Sequence, residues 1–267
     1  MHISRRRVFS AFAALMTLVA APAVHAQDAL AKVESSGTIR IAVPTDYPPY
    51  GFVGTDLQPQ GLDIDMAKLI AEKMGVTLEM VPVTSANRVP YVQTGQVELV
   101  ISTLGKNAER MKVIDFTHAY APFFQAVYGP KSLTVASFDD LAGKTIAVAK
   151  GAMEEQELVK LGPAGMEFKR YEDQAASTAA FVAGQTDVIA TSVSNATLMT
   201  QNNPKLEAEF KLLIKDSPCF IGIAKGQDGL RAKVNEIILA AKADGTLNAM
   251  SEKWLGQPIK SELPLSE

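Results

Sequence analysis

Hydrophobic and polar positions along this chain switch repeatedly between a period of two and a period near 3.6, so strands and helices alternate. Residues 28–36 read as a short polar helix stopped by Gly37. Residues 38–43 alternate and carry the β-branched Thr38, Ile39, Ile41 and Val43, which predicts a strand. Pro44 and the Pro48-Pro49 pair force a loop behind it. Across 63–74, Ile64, Met66, Ala67, Leu69 and Ile70 build one apolar face and Gly75 supplies the stop, the pattern of a helix. A strand over 76–83, a helix over 87–94, a strand over 97–101 and a short helix over 107–113 complete a first series. A second series has strands over 145–149, 166–171, 187–190 and 210–214, with helices over 153–161, 174–183 and 192–201 between them. An extended apolar run over 219–224 and helices over 230–243 and 247–254 end the chain.

Strands separated by helices predict parallel sheets covered on both faces, and two such series predict an α/β chain of two lobes. Segments 119–131 and 219–225 are extended and read as linkers. With the C-terminal helices returned to the first lobe, the chain crosses between lobes twice. Two crossings make a hinge, and a hinge implies an interlobe cleft. The expected division is 27–128 plus 225–267 for lobe 1 and 129–224 for lobe 2.

The first 26 residues differ in kind: the basic Arg5-Arg6-Arg7, an apolar stretch over 8–21, and small residues around Ala26. This is the pattern of an export signal cleaved after Ala26, with an apolar stretch shorter than the ~20 residues a spanning helix needs. A loose twin-arginine reading of Ser4-Arg5-Arg6-Arg7-Val8-Phe9 stays open beside the general route. The predicted location is the periplasm of a two-membrane bacterium. The chain ends at Glu267 with no spanning helix, which speaks against a membrane receptor.

Composition then removes classes. A formal net charge of -3 gives nucleic acid no overall pull. With 3 His and 1 Cys, zinc fingers, iron–sulfur clusters and disulfide frameworks are excluded; no metal or other cofactor is expected. Loss of the leader removes His2 and His25 and leaves His118, so a catalytic triad would rest on one imidazole. Cys219, between Pro218 and Phe220, reads as a buried inert thiol.

In open α/β sheets ligands bind beyond the carboxyl ends of strands. Four loops hold that place. The first, 45–52, carries Asp46, Tyr47, Tyr50 and Phe52 between stiffening prolines; its rings suit either a binding wall or the lobe's core. The second, 102–110, offers Ser102, Thr103, Gly105 and Arg110, hydroxyls and a guanidinium suited to gripping a carboxylate. The third, 150–154, opens a helix at Ala152 and Met153, whose free amides attract an anion. The fourth, 190–195, holds Ser192, which either meets the ligand or caps the next helix.

At these residues the chain resembles the periplasmic solute-binding proteins that serve polar amino-acid ABC transporters. The resemblance rests on Tyr47-Pro48-Pro49-Tyr50, Gly61-Leu62-Asp63-Ile64-Asp65, Glu109-Arg110 followed by Ile114-Asp115-Phe116, Asp139-Leu141-Gly143-Lys144, and Lys253-Trp254-Leu255-Gly256. It implies the two-lobe type II periplasmic-binding-protein fold, a ligand between the lobes, and delivery to an inner-membrane permease by a monomer. By position it implies Tyr47 against the ligand side chain, Ser102 and Thr103 in the ammonium and carboxylate contacts, and Gly105 at a further contact. Arg110 falls on the α-carboxylate, with the amides around Ala152 and Met153 helping. Three positions depart from the family pattern. Leu62 stands where a Phe usually forms the second wall, Met153 where Thr or Ser often donates, and Ser192 where an Asp usually pairs with the α-ammonium. Either Asp46 or a neighbouring carboxylate then accepts the ammonium, or the ligand is a carboxylate without one. The same fold is similar to cyclohexadienyl dehydratases, but the fourth loop holds no acid at the place that resemblance requires. A soluble ligand-loaded partner of a membrane receptor is a further alternative.

Overall fold

In the computed structural model, which describes residues 29–260 and 262–265, α1 (Ala29–Ser36) leads into β1 (Thr38–Val43). The leader and its cleavage site lie outside the described residues. The short strands β2 (Asp46–Tyr47), β3 (Gly51–Val53) and β4 (Pro59–Gln60) pair into a small antiparallel sheet over the predicted loop. Then come α2 (Leu62–Met74), β5 (Thr77–Pro82), α3 (Arg88–Gln93), β6 (Leu99–Leu104), α4 (Ala108–Val113) and β7 (Ile114–Ala121). The second lobe runs β8 (Phe124–Pro130), β9 (Thr145–Ala149), α5 (Met153–Leu161), β10 (Glu167–Tyr171), α6 (Gln174–Val182), β11 (Val188–Ser192), α7 (Val193–Asn202) and β12 (Ala208–Asp216). The chain returns through β13 (Cys219–Ala224) and ends in α8 (Asp228–Ala243) and α9 (Thr246–Leu255). Among the described residues no helix is long and apolar enough to cross a membrane.

The sheets are mixed, where parallel sheets were expected. In lobe 1 the order is β5-β1-β6-β13-β7, with β1 parallel to β5 and β6 but β13 antiparallel to β6 and β7. In lobe 2 the order is β10-β9-β11-β8-β12, with β8 antiparallel to both neighbours. The reason lies in the crossings. A strand that enters a sheet from the other lobe runs opposite to the strands built by βα units.

The crossings are also shorter and earlier than the expected 128/129 and 224/225. Residues 119–131 are no linker: they supply the end of β7 in one sheet and β8 in the other, leaving 122–123 between them. Residues 219–224 are β13 of lobe 1, so the second crossing is 217–218. The two crossings touch, Ser217 N–H donating to Phe123 O at 2.9 Å.

Lobe 1 has one core in which Ile39, Ile41, Ile64, Ile70, Leu99 and Ile223 meet, and α8 packs Leu230, Val234 and Ile238 into it. Lobe 2 splits its apolar residues over two faces by the period of two. Val127, Ile146, Val148 and Val188 face one side, while Ala126, Tyr128, Ala147 and Ile189 face the other, against Phe181 and Met199.

Candidate functional site

The strand ends place the loops of both lobes opposite each other, and the lobes meet across the cleft. Tyr47 accepts from Ser192 N–H at 2.9 Å, and its hydroxyl lies 3.2 Å from Thr191 Oγ1. Asp46 Oδ2 accepts from Gln174 N–H at 2.7 Å, at the start of α6. Asn195 Nδ2 donates to Pro48 O at 3.0 Å, and Asn107 Nδ2 to Gln156 Oε1 at 2.8 Å. Gly151, at φ 75, comes so close to lobe 1 that a Cβ there would lie 2.9 Å from Ala86 Cα. Gly105 is equally tight, since its Cβ would stand 2.7 Å from both Met153 Cε and Ser217 Oγ. Gly151 lets its backbone approach that of Ala86 in lobe 1, while Gly105 makes room for the Met153 and Ser217 side chains.

The end of β6 forms the lobe 1 wall. Ser102 is fully buried and accepts from Arg88 Nε at 3.1 Å. Thr103 adopts φ 43, a left-handed conformation that costs a non-glycine residue ~1–3 kcal/mol unless its surroundings hold it. Asp63 supplies that hold, accepting from Thr103 N–H at 2.8 Å. Arg110, 6% exposed, donates to Gly105 O at 2.9 Å and across the cleft to Gly151 O at 3.2 Å. Burial, together with the charge of Arg88, lowers its guanidinium to about 10. Tyr47, Tyr50 and Phe123 form a ring cluster at the crossing, with centroids 5.5 Å apart for Tyr47–Tyr50 and 5.2 Å for Tyr50–Phe123.

Glu154, in the first turn of α5, is the charged group facing this wall from lobe 2. It is 3% exposed, and its Oε1 has no hydrogen-bond partner. Burial raises its carboxyl above the usual range, against the pull of Arg88 and Arg110. Arg88 is 4% exposed, and its charge also acts on Asp46 and Asp63. Among the described residues no ion pair within 4.0 Å includes Arg88, Arg110, Glu154 or Asp63. Asp63, Arg88 and Arg110 are held by neutral hydrogen-bond partners, and Glu154 Oε1 alone of these groups has none; a buried charge left short of a partner is a candidate binding group. A groove of about 570 Å³ opens at the rim, where Ser85, Ala86, Arg110, Gly151 and Gln156 line it. It lies beside the buried cluster, and Arg110 reaches both.

The model of the bacterial extracellular solute-binding proteins, family 3, matches residues 39–257. The chain belongs to this family. This solute-binding protein is 26% identical to the L-cystine-binding protein TcyJ of Escherichia coli (strain K12) over 97% of its own length and 98% of that relative's. It is 28% identical to the ABC transporter glutamine-binding protein GlnH of Bacillus subtilis (strain 168), over 86% of this chain and 85% of the other. Among solved structures, AncCDT-1, an ancestral amino acid-binding protein and precursor of cyclohexadienyl dehydratase, superposes with a TM-score of 0.76 at 28% identity, over 85% of this chain and 99% of that one.

The fold thus brings Tyr47, Ser102, Thr103, Gly105, Arg110, Met153 and Ser192 to one interlobe seam, with Ala152 buried as the residue before α5. Other residues are placed as follows. Leu62 is buried in the lobe 1 core, and the aromatic neighbours of Tyr47 are Tyr50 and Phe123. Ser192 Oγ caps α7, accepting from Asn195 N–H at 3.0 Å. Asp46 spends an oxygen on Gln174, and burial raises its carboxyl. His118 lies on the α8 side of β7, its backbone N–H bonded to Asn235, and burial beside Arg231 and Lys242 lowers its imidazole. Sequence reasoning missed Arg88 and passed over Glu154. Arg88 stands in an ordinary helix start, but Glu154 follows Met153 directly, and an acid in the first turn of a loop already singled out was a usable signal.

Proposed function

We propose that this solute-binding protein captures an α-amino acid between its lobes and delivers it to an ABC permease in the inner membrane. It works as an exported monomer in the periplasm and does not turn its ligand over. In this reading Arg110 grips the α-carboxylate beside the Thr103 wall, and Glu154 accepts the α-ammonium. The carrying observation is the Glu154 carboxylate, buried without an ion pair and with one oxygen unpartnered, opposite two buried guanidiniums. A zwitterion supplies the missing partner for each side. It also resolves the departure at Ser192, because the acceptor lost there is replaced one loop away. Asp46, occupied by Gln174, instead helps to latch the lobes. The amino-acid-binding relatives support the ligand class, and GlnH supports the transporter context.

A thermal-shift panel of L-cystine, L-glutamine, L-glutamate and L-arginine tests this directly. A bound amino acid at 100 times its Kd adds about 2.7 kcal/mol of stability. Arg110→Ala should erase that shift. Calorimetry with the best amino acid and its 2-oxo analogue tests Glu154: equal affinity would overturn the assignment. The AncCDT-1 likeness and the raised Glu154 carboxyl favour one second reading, a proton-donating enzyme. Prephenate incubated with the protein should stay unchanged, and turnover lost in Glu154→Gln would establish the enzyme instead.

A further inference from the structure

Asp63 is fully buried in the first turn of α2, and binding as described above does not use it. Its carboxylate joins three parts of the molecule. Oδ2 accepts from the N–H of Thr103, in the wall of the cleft, at 2.8 Å. Oδ1 accepts from the Tyr120 hydroxyl at 2.6 Å, on β7 one residue before that strand ends at the first crossing. The Tyr120 hydroxyl also faces the thiol of Cys219, the first residue of β13 after the second crossing. The carboxylate therefore spans the ligand-facing backbone and the strands that carry both crossings.

We infer that Asp63 is the positioning residue of this site, its carboxylate pinning Thr103 in the left-handed conformation and tying that wall to the hinge strands. The ligand does not touch it. The ionised carboxylate accepts both bonds, so a proton on Asp63 leaves one oxygen to accept from Thr103 N–H and forces the bond to Tyr120 to reverse or break. Burial pushes the Asp63 carboxyl up to about 7, against the two hydrogen bonds and the more distant Arg88 on α3. The groups facing it are Tyr120 from β7, Cys219 from β13, Thr103 from β6 and Arg88 from α3. Asp65 on the same helix points away, to Lys253 and Trp254. The site is consequently held in place in the ionised state and loosened as pH falls through neutrality.

The affinity arm rests on the amino-acid reading; a melting arm without ligand does not. Without ligand, a carboxyl whose folded pKa is raised stabilises the fold fully below its unfolded value and loses that contribution as pH rises through the folded one. The melting temperature of the wild type relative to Asp63→Asn should therefore fall between pH 4.5 and 7.5 and level off above. Parallel curves would overturn the inference. With the amino acid of the four that gives the largest shift, wild-type affinity should fall by up to about tenfold per pH unit below 7. Asp63→Ala should lose at least tenfold at pH 8. Asp63→Asn, which like the protonated carboxyl accepts from Thr103 and donates to Tyr120, should bind as the wild type does at low pH and lose the slope. Tyr120→Phe removes a bond to the carboxylate and should move the midpoint to higher pH, an effect that a merely structural role would not produce. A slope left whole in Asp63→Asn, or normal binding by a folded Asp63→Ala, overturns the inference. A melting slope with no amino acid bound at any pH overturns the ligand reading and the positioning role with it.

Discussion

Two buried glutamates in this chain meet opposite fates. Glu98, the residue before β6, is 7% exposed, and both of its oxygens are used. Arg40 donates to it from its backbone at 2.9 Å and from its guanidinium, and Lys32 adds an ion pair at 3.2 Å, tying α1 and β1 to β6. Although burial opposes it, this company lowers the Glu98 carboxyl below its usual range. Glu154 is buried more deeply, has no ion pair, and is raised. The first carboxylate has both oxygens satisfied by the fold; the second keeps one oxygen without a hydrogen-bond partner, which in the proposed reading the ligand supplies. A buried charge thus marks a binding site when its partners are missing, and marks lobe stability when they are present.

The largest effect that would break this contrast is on ligand affinity. Glu154→Gln should weaken amino-acid binding by about 2–5 kcal/mol, roughly 30-fold or more, while leaving the unliganded protein at least as stable as the wild type. Titration calorimetry and melting on the same preparation read both quantities. Glu98→Gln should do the reverse, costing about 1–3 kcal/mol of stability with affinity unchanged, measured by urea unfolding. Acid sharpens the comparison. The Glu98 carboxyl is lowered, so its stabilisation is complete above about 4.5 and disappears as pH falls through its folded value. The Glu154 carboxyl is raised, so the penalty of its charge grows as pH rises through its folded value. Melting curves should show the wild type above Glu98→Gln and no higher than Glu154→Gln at pH 7, with the Glu154 difference closing as pH falls towards about 4.5 and the Glu98 difference closing only below it. The smallest effect belongs to Tyr47→Phe. Loss of its hydroxyl from Ser192 and Thr191 should cost about 1 kcal/mol of closure, a few-fold in Kd and a slightly larger radius by small-angle scattering.

The regular elements were open to a reading of the sequence because their signals are local. The helix over 63–74 has its apolar face and Gly75, and the structure ends α2 at Met74 with Gly75 in the left-handed conformation. The strand over 38–43 was likewise legible from alternation alone. The long extended runs were not. Within 119–131 nothing in the sequence distinguishes the strand that joins lobe 1 from the one that joins lobe 2. Their hydrogen-bond partners lie about a hundred residues away for β7 with β13, and about eighty for β8 with β12. The strand over 97–101 was placed early for a related reason, since the polar Ser102 and Thr103 belong to β6 only because the cleft wall and Asp63 hold them there.

The candidate site divides in the same way. Arg110, Thr103 and Tyr47 were visible as chemistry-bearing residues at strand ends, and the resemblance carried by the Tyr-Pro-Pro-Tyr and Glu-Arg motifs named the family. Arg88 looked like an ordinary polar residue of a helix start and Glu154 was passed over although its loop was singled out; that both are buried is a property of the packed lobes and has no local signature. Ser192 was read as either a ligand contact or a helix cap, and the structure takes the second: its hydroxyl caps α7.

The amino-acid sequence by itself determined the βα alternation and the two-lobe class, since each follows from periodicity and turn residues within a few positions. Only the tertiary structure decided where the chain crosses between sheets, which acid faces the guanidiniums, and that Asp63 holds Thr103. Those depend on distances between residues far apart in the chain and on the exclusion of water once the lobes meet.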